Sequence, residues 1–291
     1  MFKYHEPVFR PPAEAASAII QATLGCSWNK CAFCEMYSSK QFKTRSFEEL
    51  KQEIKFLAKV LPSTKKVFLA DGNAFVLSAA KLMPVLSEIN KNFGRIQRIS
   101  SYALPKDILA KSYDELVDLR ANGLKLLYIG IESGDDEVLK LQNKGETFTS
   151  TREGILKAHE AGIDTSVMIL TGLGGEKYTE QHAVNSAKLI NTINPKLLSS
   201  LNLSFPYGVE HYKSKFQGEF IPLTIAGVLR EMQMFMANLD LEGTIYRSDH
   251  VSNQLVLKGV LNRDKEVLLN QIEDALANTP EGLYPDAPMM L

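Results

Sequence analysis

The feature that most limits how this chain can fold is an alternation along its first two-thirds. Short apolar runs end on polar or glycine-rich clusters, and each cluster leads towards a stretch with apolar residues at helical spacing. The runs are Ser17–Leu24, Lys65–Ala70, Arg95–Ser101, Leu124–Ile131, Asp164–Leu170 and Lys196–Phe205. Between them, Ser46 with Glu49, Ser112 with Glu115 and Ser150 with Glu153 have the spacing of capping boxes, which satisfy the free amides of a helix start. Further helices are predicted over Leu77–Asn92, around Pro84, and over Thr179–Thr192. Six strands separated by helices imply a parallel sheet with right-handed crossovers. Six units fall short of a closed eight-fold barrel, so a partial barrel or a doubly wound sheet fits.

The pattern then changes. Pro206–Pro222 reads as a loop, and Ile225–Leu239 as a strongly amphipathic helix with Val228, Leu229, Met232, Phe235 and Met236 on one stripe. Thr244–Val251 reads as a strand and Asp264–Ala277 as a helix, with an irregular tail after Pro280. Residues 1–16, broken by Pro7, Pro11 and Pro12, form an irregular leader, 17–206 the core and 207–291 an α/β extension that closes it.

The chemistry concentrates at the clusters, which all follow the carboxyl ends of strands, the edge where α/β folds build their sites. All three cysteines, Cys26, Cys31 and Cys34, lie in the loop after the first strand, with spacing C-x4-C-x2-C. Three thiolates are one ligand short of a closed structural zinc site or an ordinary [4Fe–4S] cluster. Either a histidine closes the set, giving a non-catalytic zinc or iron site, or the fourth position is open to a substrate or cofactor. An odd cysteine count at tight spacing argues against a disulfide framework and for an intracellular metal or redox role. With 33 basic and 34 acidic residues in 291, no bulk charge draws the chain to nucleic acid. No signal peptide or membrane-length apolar run is present, so a cytoplasmic location without a membrane partner is expected.

The cysteine loop resembles that of the radical S-adenosylmethionine (SAM) enzymes: three cysteines after the first barrel strand, with an aromatic, here Phe33, before the last. The family's usual spacing is C-x3-C-x2-C, and this chain has one residue more, in Ser27-Trp28-Asn29-Lys30. The later clusters follow in the family's order. Asp71-Gly72-Asn73 resembles the turn that binds the SAM amino group. Gly130-Ile131-Glu132-Ser133-Gly134 resembles the ribose motif, and Lys144 matches a carboxylate-binding position of oxygen-independent coproporphyrinogen oxidase-like members. Gly172-Leu173-Gly174-Gly175-Glu176 is similar to a turn of the elongator and methylthiotransferase branches.

The resemblance implies a partial (β/α)6 TIM-like barrel and a [4Fe–4S] cluster held by Cys26, Cys31 and Cys34. SAM would chelate the open iron, and Phe33, Asp71, Gly72, Asn73, Ser101, Glu132, Lys144, Gly172 and Leu173 would contact it. It also implies a reductant such as flavodoxin or ferredoxin. One cluster uses every cysteine in the sequence, which disfavours sulfur insertion from a second cluster and leaves no cysteine for covalent methyl transfer. A small-molecule substrate is favoured over nucleic acid, with Tyr102, Arg247, His250 and Asn253 as its candidate contacts. Tyr102, Tyr128, Tyr207, Tyr212 and Tyr246 are the candidate hydrogen-atom donors.

Overall fold

In the computed structural model, which describes residues 3–285, eight strands form one mostly parallel sheet. They are β1 (Ala18–Gln21), β2 (Lys66–Ala70), β3 (Arg98–Tyr102), β4 (Leu124–Glu132), β5 (Asp164–Thr171), β6 (Leu197–Asn202), β7 (Thr244–Arg247) and β8 (Lys258–Leu261), hydrogen-bonded in chain order. The helices are α1 (Phe47–Val60), α2 (Ala79–Asn92), α3 (Pro105–Leu109), α4 (Tyr113–Ala121), α5 (Asp136–Leu141), α6 (Phe148–Glu160), α7 (Gly175–Ile193), α8 (Val209–Lys215), α9 (Ile225–Asn238) and α10 (Lys265–Ala277).

The chain divides into two compact units. The first takes the chain up to Asn29 together with Cys34–Ile129 and Glu153–Thr165. Here β1, β2, β3 and the first part of β4 run parallel, in a register that sets Ile19 beside Phe68, Phe68 beside Ser100 and Tyr102 beside Tyr128. Its core is built from Ile20, Leu50, Ile54, Phe68, Leu69, Leu86, Ile89 and Ile99, all buried. A two-residue antiparallel ribbon, Thr23–Leu24 against Lys43–Thr44, closes the base of the cysteine loop.

The second unit takes Lys30–Phe33, Gly130–Arg152 and the chain from Ser166 onward, so the end of β4 belongs to it. In it β5, β6 and β7 run parallel and β8 returns antiparallel to β7. Thr244–Val251 was expected as a strand. Its first four residues are β7, which adds a seventh parallel strand to the six expected, and β8 was not foreseen at all. On one side of this sheet Ile169 and Thr171 meet His182, Ala183 and Ser186 of α7 and Glu231, Met232 and Phe235 of α9, around a cavity of about 10 Å³, room for one water.

Local signals account for most boundaries. Ser46 and Glu49 form a full capping box, as do Ser112 and Glu115. The third expected box is displaced: Ser150 lies inside the first turn of α6 and exchanges hydrogen bonds with Thr147, whose hydroxyl accepts from Ser150 N at 3.0 Å. The expected loop Pro206–Pro222 contains α8, and α7 starts at Gly175, four residues before its predicted start. Of the expected irregular ends, residues 1–2 and 286–291 lie outside the described residues.

Candidate active site

Each unit gathers part of the predicted constellation. In the first, the turn after β2 packs under the cysteine loop. A Cβ added to Gly72 would stand 2.5 Å from the Tyr37 ring and 3.0 Å from Cys26 Cβ, so no side chain fits there. Asp71 is fully buried, and its Oδ2 takes Lys40 Nζ at 2.6 Å and the Gly25 amide at 3.2 Å. Burial pushes the Asp71 carboxyl up, and the Lys40 bond opposes it. Lys40 also donates to the carbonyls of His5 at 2.6 Å and Pro7 at 2.5 Å, so its three protons are all used. Asp71 thereby ties β2 to the loop and the leader.

Asn73 stands differently. Its Nδ2 donates to Ser27 Oγ at 2.8 Å and Asp107 Oδ2 at 2.6 Å, while Oδ1 is buried with no partner. A buried acceptor left unpaired costs about 1–3 kcal/mol, so the position is made for a donor such as an ammonium. The residues between Cys26 and Cys31 are employed one by one. Ser27 receives Asn73, the Trp28 ring lies 3.8 Å from Lys106 Nζ, and Asn29 turns left-handed at φ 45° with its amide donating to Tyr37 O at 3.0 Å. Asparagine is among the few residues that adopt this conformation readily, which lets the longer gap close.

Tyr37, missed by sequence reasoning, has its hydroxyl buried without a partner, and burial, then the Tyr102, Asp71, Cys34 and Cys26 charges, push its pKa up. Ser101 uses its hydroxyl on backbone carbonyls, Tyr102 O at 3.0 Å and Leu69 O at 3.4 Å. Tyr102 packs edge-on to Phe68 and Tyr128, and Tyr128 donates to the buried Glu14 at 2.6 Å.

In the second unit, Phe33, Glu132 and Lys144 come together. The Ala32 amide donates to Gln142 O at 2.9 Å, joining the loop to the segment that carries Lys144. Lys144 Nζ lies 5.6 Å from the Phe33 ring centre and 3.3 Å from Glu132 Oε1. Glu132 is buried at φ 68°, a left-handed conformation that costs a non-glycine residue about 1–3 kcal/mol. Its Oε2 is buried without a partner. A Cβ on Gly130 would sit 2.1 Å from Oε1, so glycine makes room for this pose. Burial raises the Glu132 carboxyl, against the pull of Lys144.

The glycine turn after β5 is held by residues that the sequence did not reveal. Gly172, at φ 85°, donates its amide to Glu231 Oε1 at 2.6 Å, and Gln142 Nε2 donates to Leu173 O at 2.9 Å. Glu231 also accepts from Thr179 Oγ1 at 2.7 Å, and His182 stands 3.7 Å from it while bonding Ser133 Oγ through Nδ1 at 2.8 Å. A carboxylate on the apolar stripe of α9, between Val228 and Phe235, was the available signal.

The candidate substrate residues have distinct fates. Asn253 is engaged with the β6 backbone, accepting from Asn202 N and donating to Ser200 O, each at 2.8 Å. His250 Nδ1 pairs with Ser252 Oγ at 2.8 Å, and burial lowers its pKa. Arg247 is exposed, 3.8 Å from Asp249.

The donor set fits the expected cofactors. The three cysteines form no disulfide and are part-exposed, and Asn73 and Glu132 each keep one buried acceptor unused. No group of three His, Cys, Asp or Glu side chains among the described residues is arranged to hold a single metal ion, so a closed site of three cysteines and a histidine finds no support. None of the described helices is long and apolar enough to cross a membrane.

Residues 20–189 match the model of the radical SAM superfamily. The tRNA-2-methylthio-N(6)-dimethylallyladenosine synthase of Alkalilimnicola ehrlichii is 27% identical over 197 residues, covering 63% of this chain and 42% of that enzyme. Its counterpart in Chloroherpeton thalassium is 30% identical over 183 residues, covering 60% and 38%. The chain thus spans about two-fifths of the length of these relatives. Among solved structures, coproporphyrinogen III oxidase from Escherichia coli superposes with a TM-score of 0.60 at 21% identity, over 76% of this chain and 52% of that one. Methylornithine synthase gives 0.52 at 14% identity, over 94% and 83%. These likenesses show the fold, the α/β partial-barrel class expected above. The chain belongs to the radical SAM superfamily.

Proposed function

We propose that this enzyme cleaves SAM reductively and starts radical chemistry on a small molecule. Cys26, Cys31 and Cys34 hold the cluster, and an external one-electron donor such as flavodoxin or ferredoxin supplies the electron. One electron delivered to bound SAM would break a C–S bond and give methionine and a 5′-deoxyadenosyl radical, and the protein supplies binding, orientation and dryness. Asn73 Oδ1 accepts from the SAM ammonium, Glu132 Oε2 from the ribose hydroxyls, and Lys144 pairs with the SAM carboxylate beside Phe33. Gly172 and Leu173 present backbone to the cofactor, and Asp71 and Gly72 set the loop. The core 17–206 carries this machinery, and 207–291 is the extension that carries substrate contacts.

The observation that carries the reading is Glu132. A buried carboxylate in a left-handed conformation, next to a glycine that makes room for it and with one oxygen unused, holds strain that packing alone does not need. The net charge of −1 and the three cysteines favour a small molecule over the tRNA named for the relatives.

The test is anaerobic. The purified chain is reconstituted with iron and sulfide, reduced, and mixed with SAM, and 5′-deoxyadenosine is measured. Product is expected from the wild type and not from Cys31→Ala; a colourless protein without product overturns the proposal. Stimulation by a tRNA pool, and not by a tRNA-free metabolite extract, would reassign the substrate.

A further inference from the structure

Parallel strands inside a domain are normally covered on both faces. In the second unit one face is covered only in part: Leu170 and Leu201 pack against Tyr212, Phe216 and Phe220, and the residues before them on that face are less covered. Val167, Leu198, Tyr246 and Gly259 are register partners across β5, β6, β7 and β8. The first three are buried, and a Cβ on Gly259 would meet Asp264 and Leu268 at 3.0 and 3.2 Å, so this face is closed by helices. The next residue along, on the opposite face, gives a second row: Met168, Ser199, Arg247 and Lys258. Met168 and Ser199 are half-buried although their strands are flanked on both sides, and the Arg247 and Lys258 side chains are 57% and 58% exposed.

Two cations directly opposite in an antiparallel pair repel each other. Here they share one carboxylate: Asp249 Oδ2 is 3.1 Å from Lys258 Nζ and 3.8 Å from Arg247, beyond hydrogen-bond distance for the guanidinium. The cluster therefore keeps one net positive charge and an unused planar fork. A carboxylate balances that charge and matches the fork in bidentate geometry, where a phosphate dianion would over-compensate. Ser199, Arg247 and Lys258 also lie beyond residues 20–189, the segment that matches the superfamily model.

We infer that Arg247 and Lys258 bind the carboxylate of the substrate on this open sheet face. The inference rests on the proposed radical SAM reading for the word substrate, and it narrows the substrate class to carboxylic acids. It gives Arg247 a defined role and assigns one to Lys258, which the sequence did not single out.

Ligand-observed saturation-transfer NMR on the full chain tests it, with propionate against propionamide, benzoate against benzamide, and methyl phosphate as competitor. The wild type should select each acid over its amide. Arg247→Gln and Lys258→Gln should each weaken acid binding about ten-fold, the worth of one charge-assisted hydrogen bond. Arg247→Lys should retain part of it, and Arg263→Gln, an exposed cation on the turn before α10, should change nothing. Equal response to acids and amides, equal loss in Arg263→Gln, or displacement of propionate by methyl phosphate would overturn the inference. Melting curves confirm that each variant is folded, and both positions are exposed. 5′-Deoxyadenosine formation is assayed in parallel. Its absence with acid selection intact sinks the radical reading alone, and acid selection lost with SAM cleavage intact sinks this inference alone.

Discussion

Glu132 and Gly130 act as a pair, because the glycine exists to clear space for the carboxylate. Gly130→Ala should leave iron content unchanged and weaken SAM binding about ten- to hundred-fold, the worth of one or two charge-assisted hydrogen bonds; equilibrium dialysis of labelled SAM reads it directly. Lys111 offers a test independent of cofactor. It is buried, donates to Phe75 O at 2.8 Å and Asp107 O at 3.1 Å, and burial lowers its pKa to about 8. Between that value and the ordinary lysine pKa the unfolded chain binds the extra proton, so this group makes stability rise with pH across that window. Urea midpoints should climb from about pH 8 to about pH 10 in the wild type relative to Lys111→Met; parallel profiles would refute the shift. At this scale the sequence was a good guide wherever a side chain does its own chemistry. The sequence singled out the cysteines, Glu132 and Asn73 because their residue types follow strand ends, and Lys144 through its match to a family position. Glu231, Gln142, Lys40 and Tyr37 were not singled out, since their partners are backbone atoms or rings far away in the chain, and no local pattern encodes such contacts.

Elements were legible in proportion to their length and periodicity. The helices α1, α4 and α9 each start at a capping residue, and they form close to their predicted bounds. The helices α3, α5 and α8 are seven residues or shorter, too brief for periodicity to separate them from loops. The four-residue β8 is specified mainly by its pairing with β7. The turn after β5 depends on an element that comes later in the chain, since Glu231 of α9 receives the Gly172 amide. Glu231→Gln keeps the shape and removes the charge. It should lower the unfolding free energy by about 1–3 kcal/mol and raise the KM for SAM more than it lowers kcat, because the turn binds rather than reacts. Unchanged SAM affinity with lowered stability would make Glu231 structural only.

At the scale of the whole molecule, sites in α/β folds are built at the carboxyl ends of strands, and most of the motifs follow such an end along the chain. That is why the fold class could be read before any contact was known. The extent of the C-terminal strands could not, because β7 joins the sheet beside β6 across a connection of about forty residues that no local signal spans. The leader is part of the same integration. Lys40, itself in the cysteine loop, holds His5 O, Pro7 O and Asp71 together, and Gln21 reaches both the amide and the carbonyl of His5. Removing residues 1–8 should strip Lys40 of its His5 and Pro7 partners and leave it Asp71, and reconstituted iron should then be lost faster to a chelator, while Lys40→Met should do the same. Equal retention by all three proteins would show that the leader is dispensable.

The same attachment has an odd genetic signature. The leader is held through carbonyls and an amide, groups that every residue type but proline supplies, so exchanging the His5 side chain for any other leaves those contacts in place. A scan of point substitutions would pass over this position as silent, and only a scan of truncations would expose it. In such a segment two homologues can differ at nearly every letter and still hold the cysteine loop by the same main-chain atoms.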